Sequence, residues 1–423
     1  MRMKVTAADL RVGMYIEELD RAWLETPFLF QGFVIDSEET LAEVRRYCDF
    51  VYVTSAPSTE AMASAREGVA RGPTLALEPA PAPVIHQVKH PSRVPLENEL
   101  PRARAVRRDF KEVLGKMFGA ARAGRSIDTG YAVAVIGDLT DSVLANPDAH
   151  LLMTQLKRRD DYAAGHCMNV SSLALAFGRH LGLHRDSLVE LGLGAMLIDV
   201  GNMRVAPEIL SKQGRLTPDE LAEVRRHPEY GVEILQGGIQ KLPQPVLDIV
   251  LTHHERLDGS GYPNGLKGTE IPLYGRIAAI GDVYDASTSE RIYRRGTAPS
   301  EALHELYNAR SGLFDEQLVE QFIQCLGIYP IGTVVRCSGD EVGIVIAENP
   351  ERKLRPKLLL VRDDQGHPYP QPRIVDLSHF TAGGDLDIAD ILQPGEYDFD
   401  VADFVEDLSW VKPPAAAAPA GAQ

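Results

Sequence analysis

Paired cysteines, positive charge, long apolar runs and internal repeats are all missing or scarce in this chain. Its 4 cysteines, Cys48, Cys167, Cys325 and Cys337, are widely scattered with no CxxC pair, which argues against a thiolate zinc site and suits a reducing compartment. Lysine and arginine together number 44 against 60 aspartates and glutamates, a formal net charge of -16. That excess repels nucleic-acid backbones, so no nucleic-acid partner is expected. A small anionic substrate stays compatible with it, given local positive charge from metal ions or from a cluster such as Arg291, Arg294 and Arg295. No apolar run approaches the roughly 20 residues needed to span a bilayer. The opening Met1-Arg2-Met3-Lys4-Val5 lacks the apolar core of a signal peptide. The reading is therefore a cytoplasmic protein with no membrane partner.

What is present is ample hydrophobic content, 44% of 423 residues, enough for two to four packed domains. The first 55 residues alternate apolar and polar positions over Leu10–Ile16, Phe28–Ile35 and Phe50–Val53, read as strands around a short helix from Glu38 to Tyr47. A small α/β domain over 1–55 is expected. Residues 56–105 are rich in Ala, Pro and Glu around Glu78-Pro79-Ala80-Pro81-Ala82-Pro83 and read as a linker. Helical periodicity then prevails over 106–327. Val170, Leu173, Phe177 and Leu181 fall on one helical stripe. Thr217-Pro218-Asp219-Glu220 has the N-cap, the N1 proline and the capping-box acid of a helix start, with the helix running toward His227. Thr333–Arg336, Val342–Ile346 and Lys357–Val361 read as strands of a small β-rich appendage over 328–410, and 411–423 as a disordered tail. The fold class expected is mainly α, a multi-helix bundle between two smaller pieces.

Chemistry concentrates in His253-His254-Glu255-Arg256-Leu257-Asp258-Gly259-Ser260-Gly261-Tyr262-Pro263, two adjacent imidazoles ahead of a glycine-rich acidic loop. Such a pair is a metal site in need of partners, and His166, Asp199, His227 and Asp282 are candidates. His180, His184 and His304 read as ordinary hydrogen-bonded helix residues. Hydrolysis of a phosphodiester at neutral pH is served by two close divalent ions, which acidify a bridging water toward ~7 and clamp the phosphoryl group.

The order and spacing of this set resemble the HD-GYP branch of the HD-domain metal-dependent phosphohydrolases, over roughly Ser126 to Gly327. The N-terminal segment, through Leu10-Arg11-Val12-Gly13-Met14-Tyr15 and Phe50-Val51-Tyr52-Val53, resembles a small domain of unknown function that often precedes it. The resemblance implies an HD-type helix bundle and a cyclic di-GMP phosphodiesterase that yields pGpG and then GMP with iron or manganese, one or two ions per chain. It implies His166, Asp199, His227, His253, His254 and Asp282 as metal ligands, with Asp199 and Asp282 as the catalytic carboxylates. One ion would sit on Asp199, His227, His253 and His254. The other would use His166, Asp199, Asp282 and a further histidine, at whose position this chain has Ile198. The family's lysine three residues after the Asp is here Asn202. Asp285, Arg291, Arg294 and Tyr262 match substrate-binding positions, the two arginines one helical turn apart where the helix persists. Gly261, Tyr262 and Pro263 match a loop that contacts GGDEF-type diguanylate cyclases. A homo-oligomer is left open. The competing expectation is a binding or scaffold module with an impaired centre.

Overall fold

The computed structural model describes residues 3–20, 33–35, 38–54, 89–156, 162–289, 296–349, 352–380 and 386–411. They form two compact units, one built from the residues up to 54 and the other from those after 88. No described helix is long and apolar enough to cross a membrane.

In the first unit, β1 (Met3–Thr6), β2 (Tyr15–Leu19), β3 (Phe33–Val34) and β4 (Phe50–Thr54) form an antiparallel sheet in the order β1-β4-β2-β3, joined by α1 (Glu38–Tyr47). Val51 and Val53 alternate into the core, where Leu41 and Val44 of α1 and Cys48 meet them. The run expected as a strand from Leu10 begins instead at Tyr15. Leu10 is buried just after a tight turn over Ala7–Asp9, and Gly13 takes a left-handed φ of 94° that breaks the extended path. Phe28 to Gly32 lie outside the described residues.

The second unit opens on α2 (Leu96–Arg122), ten residues before the helical start expected at 106. Leu96, Leu100, Ala103, Val106, Phe110, Leu114 and Met117 are all buried, a stripe of three- and four-residue steps that runs through Pro101. The linker expectation is corrected there; its residues 56–88 lie outside the described set. Then come α3 (Gly130–Ala145), α4 (Pro147–Met153), α5 (Tyr162–His180), α6 (Arg185–Met196), α7 (Pro207–Leu210), α8 (Pro218–Val224), α9 (His227–Gln236), α10 (Gln244–Thr252), α11 (Leu273–Thr288), α12 (Pro299–Leu313) and α13 (Glu316–Leu326). Val170, Leu173, Phe177 and Leu181 are buried, with Phe177 edge-on to Phe322 at 5.2 Å. The capping box at Thr217 and Glu220 is formed, but its helix stops at Val224, and His227 opens the next one. α5 packs on α6 and α11, and α10 packs on α6, α9 and α11.

The appendage is a five-stranded antiparallel sheet of β5 (Val334–Cys337), β6 (Val342–Ala347), β7 (Lys357–Arg362), β8 (Pro368–Asp376) and β9 (Ile388–Leu392), in the order β8-β7-β6-β5-β9. Pro368, Pro370 and Pro372 sit in β8, an edge strand, where a missing N–H is tolerated. A short α14 (Val401–Glu406) follows. The sheet is fastened to the bundle by Lys357 on Glu97 at 3.1 Å and by Gln155 Nε2, which donates to the Ile331 carbonyl at 3.2 Å. The chain is mainly α, as expected. The tail beyond Val411 lies outside the described residues.

Candidate metal centre

His253 and His254 follow the last turn of α10, and His227 is the first residue of α9. The Nδ1 atoms of His227 and His253 lie 2.9 Å from the carbonyls of Val224 and Val250. A carbonyl only accepts, so each Nδ1 carries a proton and each ring turns its Nε2 inward. Those two Nε2 atoms face each other at 3.1 Å. Two lone pairs at that distance would repel, so a proton or a metal ion belongs between them. His254 completes the group, its ring 4.1 Å from that of His253, and one ligand atom from each of the three falls within 4.8 Å of the others. Burial, then the neighbouring His227, brings His253 down to about 4; burial, then His253, holds His254 well below the usual imidazole range. Both are therefore neutral, ligand-ready bases at pH 7.

Asp199 reaches this trio from a break in the chain. α6 ends at Met196, and Asp199 heads a 3-10 turn over Val200–Arg204. Gly201 permits the approach: a Cβ there would lie 1.8 Å from the His227 carbonyl oxygen. Asp199 Oδ1 stands 3.5 Å from His227 Nε2, while its Oδ2 stands 3.9 Å from His166 Nε2. The second half of the centre is carried by α5 and α11. His166 Nε2 lies 3.0 Å from Asp282 Oδ1, and Asp282 Oδ2 lies 3.7 Å from His254 Nδ1. Burial opposes charge on His166, but its hydrogen bonds with Asp282 and Asp285 outweigh that and raise its pKa well above 6.5. Burial likewise opposes ionisation of Asp282, yet its hydrogen bond with His166 outweighs that and holds its pKa below the carboxylate range. The structure thus gathers all six expected ligand residues around one space.

Three expectations change. Asp285, expected to bind substrate, is 1% exposed, with Oδ2 on His166 Nδ1 at 2.8 Å and Oδ1 on Asn169 Nδ2 at 2.9 Å. Both of its oxygens are engaged inside the fold, one of them on the expected ligand His166. α11 closes at Thr288, where Ser289 is extended, so the helical spacing of Arg291 and Arg294 does not follow from it; both lie outside the described residues. Asn202 donates to Asp199 Oδ1 at 2.9 Å, so the amide at the lysine position steadies the shared carboxylate. Ile198 is 1% exposed and supplies no donor atom.

Tyr262 bounds the centre: its ring lies 4.7 Å from that of His254, and its N–H donates to the His254 carbonyl at 3.2 Å. Arg225 stands 5.4 Å over the same ring. At Gly261 any Cβ would meet backbone within 2.5 Å, so only glycine lets the loop fold back on His254 and Glu255. Sequence reasoning missed Glu255. It is 2% exposed and accepts from the N–H groups of Asn264 at 2.7 Å and Leu266 at 3.0 Å, which fixes the loop on the histidine pair. The signal for it was a carboxylate placed directly after two expected ligand histidines.

Three imidazoles and a carboxylate fit a divalent transition metal, with water or a phosphoryl oxygen filling the remaining positions. Residues 144–318 match the HD domain family. Residues 2–132 match a Domain of unknown function (DUF3391), which extends past the expected boundary at 55 and through α2. The cyclic di-GMP phosphodiesterase PA4108 of Pseudomonas aeruginosa is 34% identical over 380 residues, 89% of this chain and 89% of that protein. The cyclic di-GMP phosphodiesterase response regulator RpfG of Xanthomonas campestris pv. campestris is 37% identical over 173 residues, 41% of this chain and 46% of RpfG. A 3'3'-cGAMP-specific phosphodiesterase 2 of Vibrio cholerae is 35% identical over 173 residues, 41% of this chain and 33% of that protein. The similarity to the first of these runs through both units, and with it the chain belongs to the HD-GYP family of HD-domain metal-dependent phosphohydrolases.

Proposed function

We propose that the chain hydrolyses cyclic di-GMP to linear pGpG, and onward to GMP, at a centre that takes iron or manganese. The observation that carries this reading is the facing pair of Nε2 atoms on His227 and His253, with His254 and Asp199 beside them. Relatives named for cyclic di-GMP hydrolysis support the substrate. A bound divalent ion supplies a water acidified toward ~7 and a Lewis acid for the phosphoryl oxygens. The protein does the rest. Asp199 turns one oxygen toward each half of the centre, the placement of a bridging ligand. Asp282 lies between His166 and His254 and links the two halves. Tyr262 walls the His254 side, held by a loop that Glu255 keeps in place. The test is protein purified without oxygen and reloaded with Fe(II) or Mn(II), incubated with cyclic di-GMP and with cyclic GMP-AMP. Appearance of pGpG from the first is expected. Protein that holds metal yet releases no product from cyclic di-GMP overturns the reading.

Ile198 favours a second reading. With a hydrocarbon at that position the centre would hold a single ion, and the chain would sense cyclic di-GMP or dock a GGDEF-type diguanylate cyclase through Gly261, Tyr262 and Pro263. Metal content separates the two: turnover with two ions per chain supports hydrolysis, and tight nucleotide binding with one ion and no turnover supports sensing. Either role belongs to a cytoplasmic second-messenger system.

A further inference from the structure

His166 is one end of a buried chain of hydrogen bonds that leaves the HD segment altogether. Its Nδ1 meets Asp285 Oδ2 at 2.8 Å; Asp285 Oδ1 takes the Asn169 Nδ2 proton at 2.9 Å; Asn169 Oδ1 takes an Arg107 Nη1 proton at 3.1 Å. Arg107 is 5% exposed and Asn169 2%. Arg107 belongs to α2, within residues 2–132, whereas His166, Asn169 and Asp285 fall within the HD match at 144–318.

The direction of every link is forced. A guanidinium only donates, so the Asn169 atom facing Arg107 must be its oxygen, and the amide nitrogen is thereby turned to Asp285. An ionised carboxylate only accepts, so the His166 nitrogen facing Asp285 carries a proton; Nε2, which faces Asp282 and Asp199, is the ring atom that would give up its proton to a bound ion. Arg107 is itself aimed by a second bond, Nη2 to the Leu156 carbonyl at 3.1 Å, and Asn169 touches the Thr154 carbonyl at 3.3 Å. A planar two-pronged donor is needed to hold both acceptors at once.

We propose that Arg107 is a positioning residue of the metal centre, acting through Asn169 and Asp285 to fix the ring plane and tautomer of His166. This rests on the reading of His166 as a metal ligand. It makes the centre depend on a helix outside the HD segment, so that any displacement of α2 reaches a ligand through three hydrogen bonds.

The test is Mn(II) affinity of the full chain, measured without oxygen by competition with a chelating indicator, for the wild type, Arg107→Met, His166→Ala and the double variant. Loss of a partner behind a ligand histidine costs roughly 10 to 100-fold in metal affinity. Arg107→Met stands two links further back, and a loss of about tenfold is expected, at the low end of that range. In the His166→Ala background the same substitution should cost nothing further, because the effect travels through that ring. An equal loss in both backgrounds would mean that Arg107 merely holds the end of α4, and the proposal fails. It also fails where Arg107→Met binds as tightly as the wild type, or where His166→Ala does. Should Arg107→Met not fold, Arg107→Lys retains the charge but not the fork and is expected to show a smaller loss with the same dependence on His166. Protein that passes these tests and hydrolyses no cyclic dinucleotide overturns the proposed activity while leaving this coupling in place.

Discussion

An imidazole at position 198 would bring a polar ring into a place now 1% exposed and filled by hydrocarbon. Burying it without a partner costs roughly 1–3 kcal/mol, whereas a metal bound only by the folded state returns stability by mass action. Ile198→His is therefore expected to melt several degrees below the wild type when metal-free, and to gain more from Mn(II) than the wild type does. Metal analysis on the same samples should find one additional ion per chain. A lowered melting point with unchanged metal content would show that position 198 does not face the centre. The six expected ligand positions could be picked out because each lies in a short string that resembles a motif of the family, and the fold brings them around one space. Asp285 could not, because a helix carboxylate three residues beyond Asp282 has no direction until packing supplies one. Here packing buries it behind His166, with both oxygens taken. Asn202 and Glu255 escaped for a related reason: their partners are a side chain and backbone N–H groups brought near only by the fold.

At the scale of elements, α2 decides where the bundle begins. Pro101 and the arginines around it hide the period of Leu96, Leu100 and Ala103 from a reading of the sequence, since a proline ordinarily marks a boundary. In the fold the proline costs one backbone hydrogen bond in the second turn, and the buried stripe on either side outweighs it. Each fully buried leucine contributes roughly 1.5–3 kcal/mol, so a chain starting at residue 106 forfeits the burial of Leu96 and Leu100. It also forfeits the ion pair of Glu97 with Lys357. Against a total stability of about 5–15 kcal/mol that is a large share. A fragment of residues 89–423 is expected to unfold cooperatively on heating, and one of 106–423 to melt at least 10 °C lower or not to fold. Equal melting curves would place the working boundary at 106. The capping box at Thr217 and the stripe from Val170 were legible because local rules alone dictate them. The stop at Val224 was not: no glycine or proline marks it, and the close approach of Gly201 to the His227 carbonyl just beyond it is a contact between distant segments.

Over the whole molecule, buried ionisable groups set opposing slopes of stability against pH. His150 is fully buried, its Nε2 on Ser142 Oγ at 2.7 Å, and burial followed by the charge of Arg107 brings it down to about 3. His253 falls to about 4, and His254 is also lowered. An imidazole of depressed pKa is neutral in the fold and takes up a proton on unfolding below about 6.5, so its contribution is present above that pH and lost as pH falls. Two carboxyls act oppositely. Burial raises Asp148 to about 6, and burial followed by the charge of Asp148 raises Glu348 well above 4.5. Their contribution is present in acid and lost as pH rises through the raised values. The lowered imidazoles and the raised carboxyls therefore pull in opposite senses in metal-free protein between about pH 6 and pH 4.5, and removing one group shifts the balance toward the other side. Each proton exchanged is worth about 1.4 kcal/mol per pH unit. Denaturant unfolding of the metal-free chain across this window should therefore give a flatter acid limb for His150→Gln, by up to that slope. Glu348→Gln should steepen the limb in the opposite sense. Parallel limbs in all three proteins would mean that neither group changes its protonation on folding.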